Sequence, residues 1–501
     1  MVKEWINCCL SEHSSCRQSR SWSLPSRVID VAWGEPVNKA RLVVSANINR
    51  ASYAALSYCW GDHQPERLTQ ANLKQKQSNI RFGELGKTIQ DAIEITRELG
   101  LQYLWVDSQC IVQDSLEDWQ RESANMADVY ANALITIQAS GASHSRVGCF
   151  IARPESAAPA MLKFTTDDES QGYVFVRPQE ISHQKDEELA KRGWTLQESL
   201  LATRILSYGT DQISWECTEA FWSEAGIPAA SDMDFLGLPK PMRAFRKPAE
   251  LPPDVREEDD AVKLAVTWSH IVQDYTRRRL TFGEDKLPAI SGIAKHMLRT
   301  RPGDTYLAGI WRNDMPVFLL WAPTNNARRP ASYRAPSWSW ASVDGQVSIL
   351  EGFNDSSRSI HCQVLEAGTT RAGLDPLGGV SSGYLRLRGP LKQAWRMIDQ
   401  LNHKGVPEED VVQFLYPTDS PLLPSDRPFL LKLGLCQVDI ADVKQSFGQF
   451  IPTCCFRITD TNALALRQKP DGTFERVGII ILDDQKTVWF DNGEVRLITV
   501  V

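Results

Sequence analysis

The sequence predicts an α/β fold: a small parallel sheet flanked by helices, followed by a mixed α+β, β-rich C-terminal region. Three observations carry this reading. Apolar, strand-like runs at residues 53–60, 103–106 and 134–139 are separated by amphipathic helical stretches, which gives the order β-α-β-α-β. That alternation is the pattern of a doubly wound sheet, in which ligands sit beyond the C-terminal strand ends. From about residue 350 the chain instead alternates in strand fashion (YLRLRG, PFLLKLGLCQVDI, VGIIILDD, EVRLITVV). A chain of 501 residues is too long for one hydrophobic core. The divisions read from it are an N-terminal helix and strands packing on the core (1–50), the α/β domain (51–220), a linker or insertion (221–265) and the α+β region (266–501).

The first helix carries Cys9, His13 and Cys16 at helical spacing, which suggests a metal half-site. A structural zinc site needs four ligands, and no second Cys/His pair lies close by. A packed terminal helix without metal is therefore expected. Two strand-like runs follow, SRVIDVAW and KARLVVSA. YAALSYCW reads as a buried strand ending in a Gly61-Asp62 turn, with Ser57, Tyr58 and Trp60 at its C-terminal end. Residues 63–86 are polar, with room for a short helix. Residues 88–99 place Ile89, Ala92, Ile93 and Leu99 on roughly one helical face, and Gly100 falls just past the end. The strand at 103–106 then delivers Asp107 to the mouth of a loop. Ser115 is placed to cap the next helix, with Asp118 at the capping-box position; Trp119, Ser123, Met126, Ala127 and Tyr130 mark its face.

Residues 146–190 read as a loop with a hairpin around YVFVRP. A helix begins near Thr195, with Glu198 on its first turn, where the helix N-terminus favours a carboxylate. RILSYG and QISWEC are strand-like, and residues 225–260 are rich in Pro and charge. Beyond them AVKLAVTWSHIVQDY, DKLPAISGIAKHM and YLAGIWRNDMPVFLLW are expected as helices. RAPSWSWASVDG is expected as a turn-rich strand.

Composition excludes several classes. The net charge of −7 argues against a nucleic-acid partner. No window approaches 18 apolar residues, so no membrane span is expected, and the opening MVKEWINCCLSEHSSC lacks the apolar core of a signal peptide. The 11 cysteines are odd in number and scattered, which reads as reduced thiols in a cytoplasmic or nuclear compartment. The 16 tryptophans are read chiefly as core anchors, the alternative being an aromatic-lined pocket. GxxxxGK[ST], GxGxxG, HExxH and GxSxG are all absent, and the histidines form no pair at ligand spacing. Carboxylates and aromatics remain. Asp114, Glu117 and Asp118 suit helix capping, Asp107 suits a loop-organising acceptor, and Glu198 suits an ion pair with Arg192 or Arg204. Each of these ordinary roles stands beside a catalytic one.

Residues 53–62 (YAALSYCWGD), the stretch LWVDSQCIVQDSLEDWQRESANMADVYANA and residues 192–206 (RGWTLQESLLATRIL) resemble, in order and spacing, the three blocks of the fungal heterokaryon incompatibility (HET) domain. DKLPAISGIA, YLAGIW, LLW and APSWSWASVDG look like the region that follows it in many such proteins. Val112 departs from the family, which usually has Asn there, and Gln109 stands where a small or apolar residue is commoner. The resemblance implies a role in self/non-self recognition and programmed cell death. It also implies a distant relation to TIR domains, with a flavodoxin-like sheet, some of which hydrolyse NAD through a Glu in a Trp-Cys-x-x-Glu block. Trp194-Thr-Leu-Gln-Glu198 has the same spacing, with Thr195 in place of Cys. On that implication Glu198 is the catalytic candidate, and Ser57, Tyr58, Trp60, Asp107 and Trp194 are the substrate-binding candidates. NAD is then a substrate, and no cofactor is expected. Two alternatives stay open: a non-enzymatic module acting through homo-oligomers or an incompatibility partner protein, and a chain recruited as a secondary-metabolism pathway enzyme.

Overall fold

The computed structural model describes residues 1–16, 24–32, 39–48, 50–61, 67–152, 160–165, 170–176, 187–224, 257–324, 328–349, 359–397, 413–414, 429–433, 450–482, 490 and 493–501. The chain divides into two compact units, 1–248 and 249–501.

The first unit is built on a mixed sheet of nine strands. Its parallel centre consists of β3 (Tyr53–Ser57), β5 (Tyr103–Trp105), β6 (Ile135–Gln138) and β9 (Arg204–Tyr208). β3 pairs in parallel with both β5 and β6, and β6 pairs in parallel with β9. Every residue of these four strands is buried, which accounts for their unbroken apolar character in sequence. In chain order the parallel strands lie 2-1-3-4 across the sheet. The connection therefore reverses direction at β3, and the crevice beyond its C-terminal end is where such sheets hold ligands.

The expected small sheet is thus extended on both sides by antiparallel strands. β1 (Arg27–Asp30) pairs with β5, β2 (Lys39–Val44) with β1, and β4 (Ile80–Arg81) with β2. At the opposite edge β10 (Ile213–Cys217) pairs with β9, and β11 (Phe221–Ser223) with β10. A separate hairpin joins β7 (Ala160–Thr165) to β8 (Gln171–Val176), at the position of the expected YVFVRP hairpin.

The helices follow from local signals. α1 (Val2–Glu12) buries Ile6 and Cys9, and α2 (Leu73–Ser78) is the short helix of the polar stretch. α3 (Lys87–Glu98) is closed through Gly100, whose neighbour Leu101 N–H reaches Thr96 O at 3.0 Å. α4 is a single turn, Asp107–Cys110. In α5 (Leu116–Asn132) the Ser115 hydroxyl accepts from Asp118 N–H, as the capping pattern requires. The buried face of α5 starts with charge, because Asp118 and Glu122 turn inward to Arg27 of β1. Asp118 also accepts Val112 N–H at 2.8 Å, so the residue that departs from the family pattern is held through its backbone. α6 (Thr195–Leu201) completes the set that matters for the site.

The second unit holds α7 (Glu257–Thr276), α8 (Pro288–Met297) and an eight-stranded sheet. The expected linker lies largely outside the described residues, and α7 begins inside its C-terminal end. Among the sheet's strands, β15 (Val380–Met397) pairs with β14 (Gln363–Arg371), β16 (Phe450–Arg457) and β17 (Glu494–Val500). The expectation of a helix over YLAGIWRNDMPVFLLW is not met. Tyr306–Leu307 (β12) and Ile310–Trp311 (β13) form a hairpin instead. Ala308 and Gly309 at its tip have φ of 46° and 96°, the left-handed pair that a two-residue hairpin demands and a helix forbids. Nor is RAPSWSWASVDG a strand: it folds as turns around a 3-10 helix, Trp340–Ser342, capped by Ser339. Trp268, Trp311, Trp321, Trp338 and Trp340 are fully buried here, as are Trp105 and Trp215 in the first unit, so these tryptophans anchor cores.

Candidate functional site

The three sequence blocks converge at the C-terminal end of β3. Strand β3 ends at the buried Ser57, whose hydroxyl hydrogen-bonds the Glu198 carboxylate, 141 positions away. Glu198 reaches that point because α6 starts at Thr195, whose hydroxyl is tied to Leu189 O and Arg192 O, both at 2.8 Å. The next residue of the first block, Tyr58, shares a 2.7 Å hydrogen bond with the Ser108 hydroxyl. Its carbonyl accepts from the Arg192 guanidinium at 2.5 Å. Trp60, partly buried, donates its indole N–H to Asp107 Oδ2 at 2.8 Å. Asp107 Oδ1 takes the Ser108 N–H at 2.6 Å, which fixes the carboxylate at the head of α4. Gly61 then turns the chain with φ +79°, and a Cβ there would stand 2.4 Å from His144 Cβ. Glycine is therefore required by both conformation and space.

The electrostatics are those of carboxylates withdrawn from water. Glu198 is only 5% exposed, and burial pushes its pKa from 4.5 up to about 7. The Ser57 hydroxyl, Arg192 and the Tyr130 hydroxyl pull it down, while the neighbouring Asp107 pushes it up. Burial likewise pushes Asp107 up to about 6, against the pull of Arg192 and the Trp60 N–H. Burial also raises the Cys59 thiol, and Arg192 opposes the shift. Two acids titrating near neutrality beside one guanidinium can hold or release a proton, or stabilise a positive charge that develops next to them.

Of the expected residues, Ser57, Tyr58, Trp60, Asp107 and Glu198 stand in one network. Trp194 occupies the N-cap position of α6 and packs, partly buried, against the sheet's hydrophobic core. Arg192 belongs to the network and acts on both acids. It is one of the two cations that the sequence offered as partners of Glu198. Tyr130 was legible only as one residue of a helix face. Arg204, the other cation considered for Glu198, is bonded elsewhere, to Cys9 Sγ and Cys16 O. Asp114 accepts Gln70 N–H at 2.9 Å and fastens a loop.

Residues 53–198 match the family model for the heterokaryon incompatibility protein (HET). The chain carries a HET domain. Its limits run from the first residue of β3 to Glu198 itself, so the matched segment contains every member of the network described above. No curated protein matches the chain, and no solved structure does. The match suggests a heterokaryon-incompatibility type of function. Among the described residues, no helix is long and apolar enough to cross a membrane.

Proposed function

We propose that this protein is a heterokaryon-incompatibility effector that promotes cell death by hydrolysing NAD in its HET domain, with Glu198 as the catalytic carboxylate. The observation that carries the reading is the placement of Glu198. It is a buried acid with a pKa near 7, aimed at the C-terminal end of the parallel strand from which the chain reverses direction. The 2-1-3-4 strand order agrees with a flavodoxin-like sheet of the kind TIR domains use, and doubly wound sheets of this kind bind nucleotides at this end. Cleavage of the nicotinamide–ribose bond leaves neutral nicotinamide and builds positive charge on the ribosyl carbon. An ionised Glu198 stabilises that charge, water adds to the carbon and loses one proton, and ADP-ribose results. Trp60, steadied by Asp107, offers an aromatic face for a base, and Arg192 supplies the cation that keeps Glu198 ionisable.

The test is NAD loss on incubation with purified full-length protein, wild type against Glu198→Gln. The expected result is a fall of roughly 10²–10³ in rate for the variant, and a wild-type rate that rises from pH 5 to pH 8 as Glu198 ionises. Equal NAD loss in both proteins removes Glu198 from the mechanism, and no loss in either removes NAD hydrolysis.

A second reading, signalling by self-association, is favoured by one feature. The hairpin of β7 and β8 exposes Met161, Leu162, Phe164 and Tyr173, with relative exposures of 43–58%. Apolar groups on both faces of an isolated hairpin suit burial against another chain. Concentration-dependent sedimentation of wild type against Leu162→Lys/Phe164→Lys separates this reading from the first: a strictly monomeric protein that still depletes NAD excludes it.

A further inference from the structure

The half-site in the first helix acquires its missing partner from the far edge of the sheet. Cys9, His13, Cys16 and Cys217 place one ligand atom each within 4.8 Å of all the others. Cys9 lies on the last turns of α1. His13 leaves the helix in extended conformation, with φ −86° and ψ 109°, and this bend carries Cys16 back beside Cys9. Cys217 ends β10 and lies 3.2 Å from His13 Nδ1, across 204 positions of sequence. The three cysteines are no more than 4% exposed.

The surroundings are those of charged sulfur. The buried Arg204 donates from Nε to Cys9 Sγ at 3.1 Å and from Nη2 to Cys16 O at 2.8 Å. Ala220 N–H donates to Cys217 Sγ at 3.3 Å from the turn between β10 and β11. Thr218, in the same turn, hydrogen-bonds Cys16. Glu219 accepts Ser15 N–H at 2.5 Å, clamping the Cys16 loop onto that turn. His13 is held from one side by stacking on Trp222, with centroids 5.5 Å apart.

We infer that Cys9, His13, Cys16 and Cys217 form a structural zinc site. Three soft sulfurs and one imidazole are the ligand set of tetrahedral zinc and a poor match to magnesium or calcium. Zinc–ligand bonds of roughly 2.0–2.3 Å put tetrahedral ligand atoms roughly 3.3–3.8 Å apart, so the cluster has about 1 Å left to close. The charges also balance. Three thiolates around a divalent ion leave one negative charge, and Arg204 supplies the compensating positive one in a place where an unpaired charge would be costly. The site would staple α1, which precedes the HET domain, to strand β10, which follows it.

The test uses the full-length chain expressed in zinc-supplemented medium and isolated under reducing conditions. Metal analysis should find one zinc per chain in the wild type and in Cys8→Ser, whose half-buried thiol donates to Glu12 and lies outside the cluster. Cys16→Ser and Cys217→Ser should lose it. Chelator-treated wild type titrated with Co²⁺ alone should develop the thiolate charge-transfer and d–d bands of tetrahedral cobalt, saturating at one equivalent. Cys217→His should retain binding with a shifted spectrum, which separates lost ligation from lost folding. Substoichiometric zinc together with no cobalt spectrum in the wild type overturns the inference, as does full zinc retention by both serine variants. A disulfide between any two of the three cysteines in peptide maps of unreduced protein does the same.

Discussion

Glu198→Gln keeps the side chain's volume and one hydrogen-bond acceptor while removing its ionisation, and the consequence for stability has a definite sign. In the folded HET domain burial raises the Glu198 pKa from 4.5 to about 7, a gap of about 3 kcal/mol between the two protonation states. The protonated acid is the form that the folded state prefers. Its contribution is therefore fully present below the unfolded pKa of 4.5 and is lost as the pH rises through about 7. The glutamine variant has no such loss. For a unit of this size, about 3 kcal/mol corresponds to a shift of about 6–12 °C in midpoint. The assay is thermal unfolding of the full-length wild type and variant at pH 5 and pH 8 at constant ionic strength. The variant-minus-wild-type difference should move by that amount in the variant's favour on going to pH 8. A difference that stays constant refutes a Glu198 that ionises near neutrality. A difference that moves the other way means that Arg192 holds the carboxylate charged and outweighs burial.

Other perturbations probe the same network. Arg192→Gln removes the cation that pulls both acids down, so the pH at which the Glu198-dependent stability is lost should move upward, as read from the same melting series. Trp60→Phe deletes the N–H on Asp107 and should cost about 1.5–3 kcal/mol at pH 8, where Asp107 is ionised, and less at pH 4; carboxyl ¹³C titration should show Asp107 shifting above its value of about 6. Gly61→Ala forces a Cβ against His144 at a positive φ and should lower stability by about 1–3 kcal/mol in urea unfolding, with a larger loss than Gly83→Ala, where a Cβ meets nothing within 4 Å.

The parallel centre was legible because its strands are buried on both faces and so read as continuous apolar runs, with helices between them marked by Ser115 and Gly100. The approach of Ser57 to Asp107 was legible because doubly wound sheets gather the C-terminal strand ends; Glu198, on the first turn of α6, was singled out only through the family resemblance. The sheet's size was not: nothing in SRVIDVAW or KARLVVSA says that β1 adds antiparallel to β5, and β2 to β1, rather than pack as a separate layer. Asp118 looked like helix-start charge because Arg27, which turns it inward, comes from a strand 91 positions earlier. The Tyr306–Trp311 hairpin was hidden because its apolar periodicity fits a helix, and only the left-handed pair at 308–309 breaks it. Cys217 lay beyond any spacing rule, since the fold alone brings it to His13.

The cysteine cluster and the Glu198 network share the continuous segment 192–217, so the two need to be shown energetically separate. In register, Ser57 of β3 lies level with Gln138 of β6 and Ser207 of β9, at the end of the sheet where Glu198 binds. Arg204 lies opposite Cys217 at the other end of β9. Three residues of strand span roughly 10 Å, and two strand spacings add roughly 9–10 Å across the sheet. Sites that far apart, without a shared partner, contribute additively to within about 0.5 kcal/mol. Cys217→Ser should therefore destabilise the protein by the same amount at pH 8 whether residue 198 is Glu or Gln, as measured by a double-mutant cycle in urea. An interaction energy above about 1 kcal/mol would mean that the staple at the strand's N-terminal end sets the position of α6. Loss of the cysteine cluster would then reach the candidate catalytic acid through that helix.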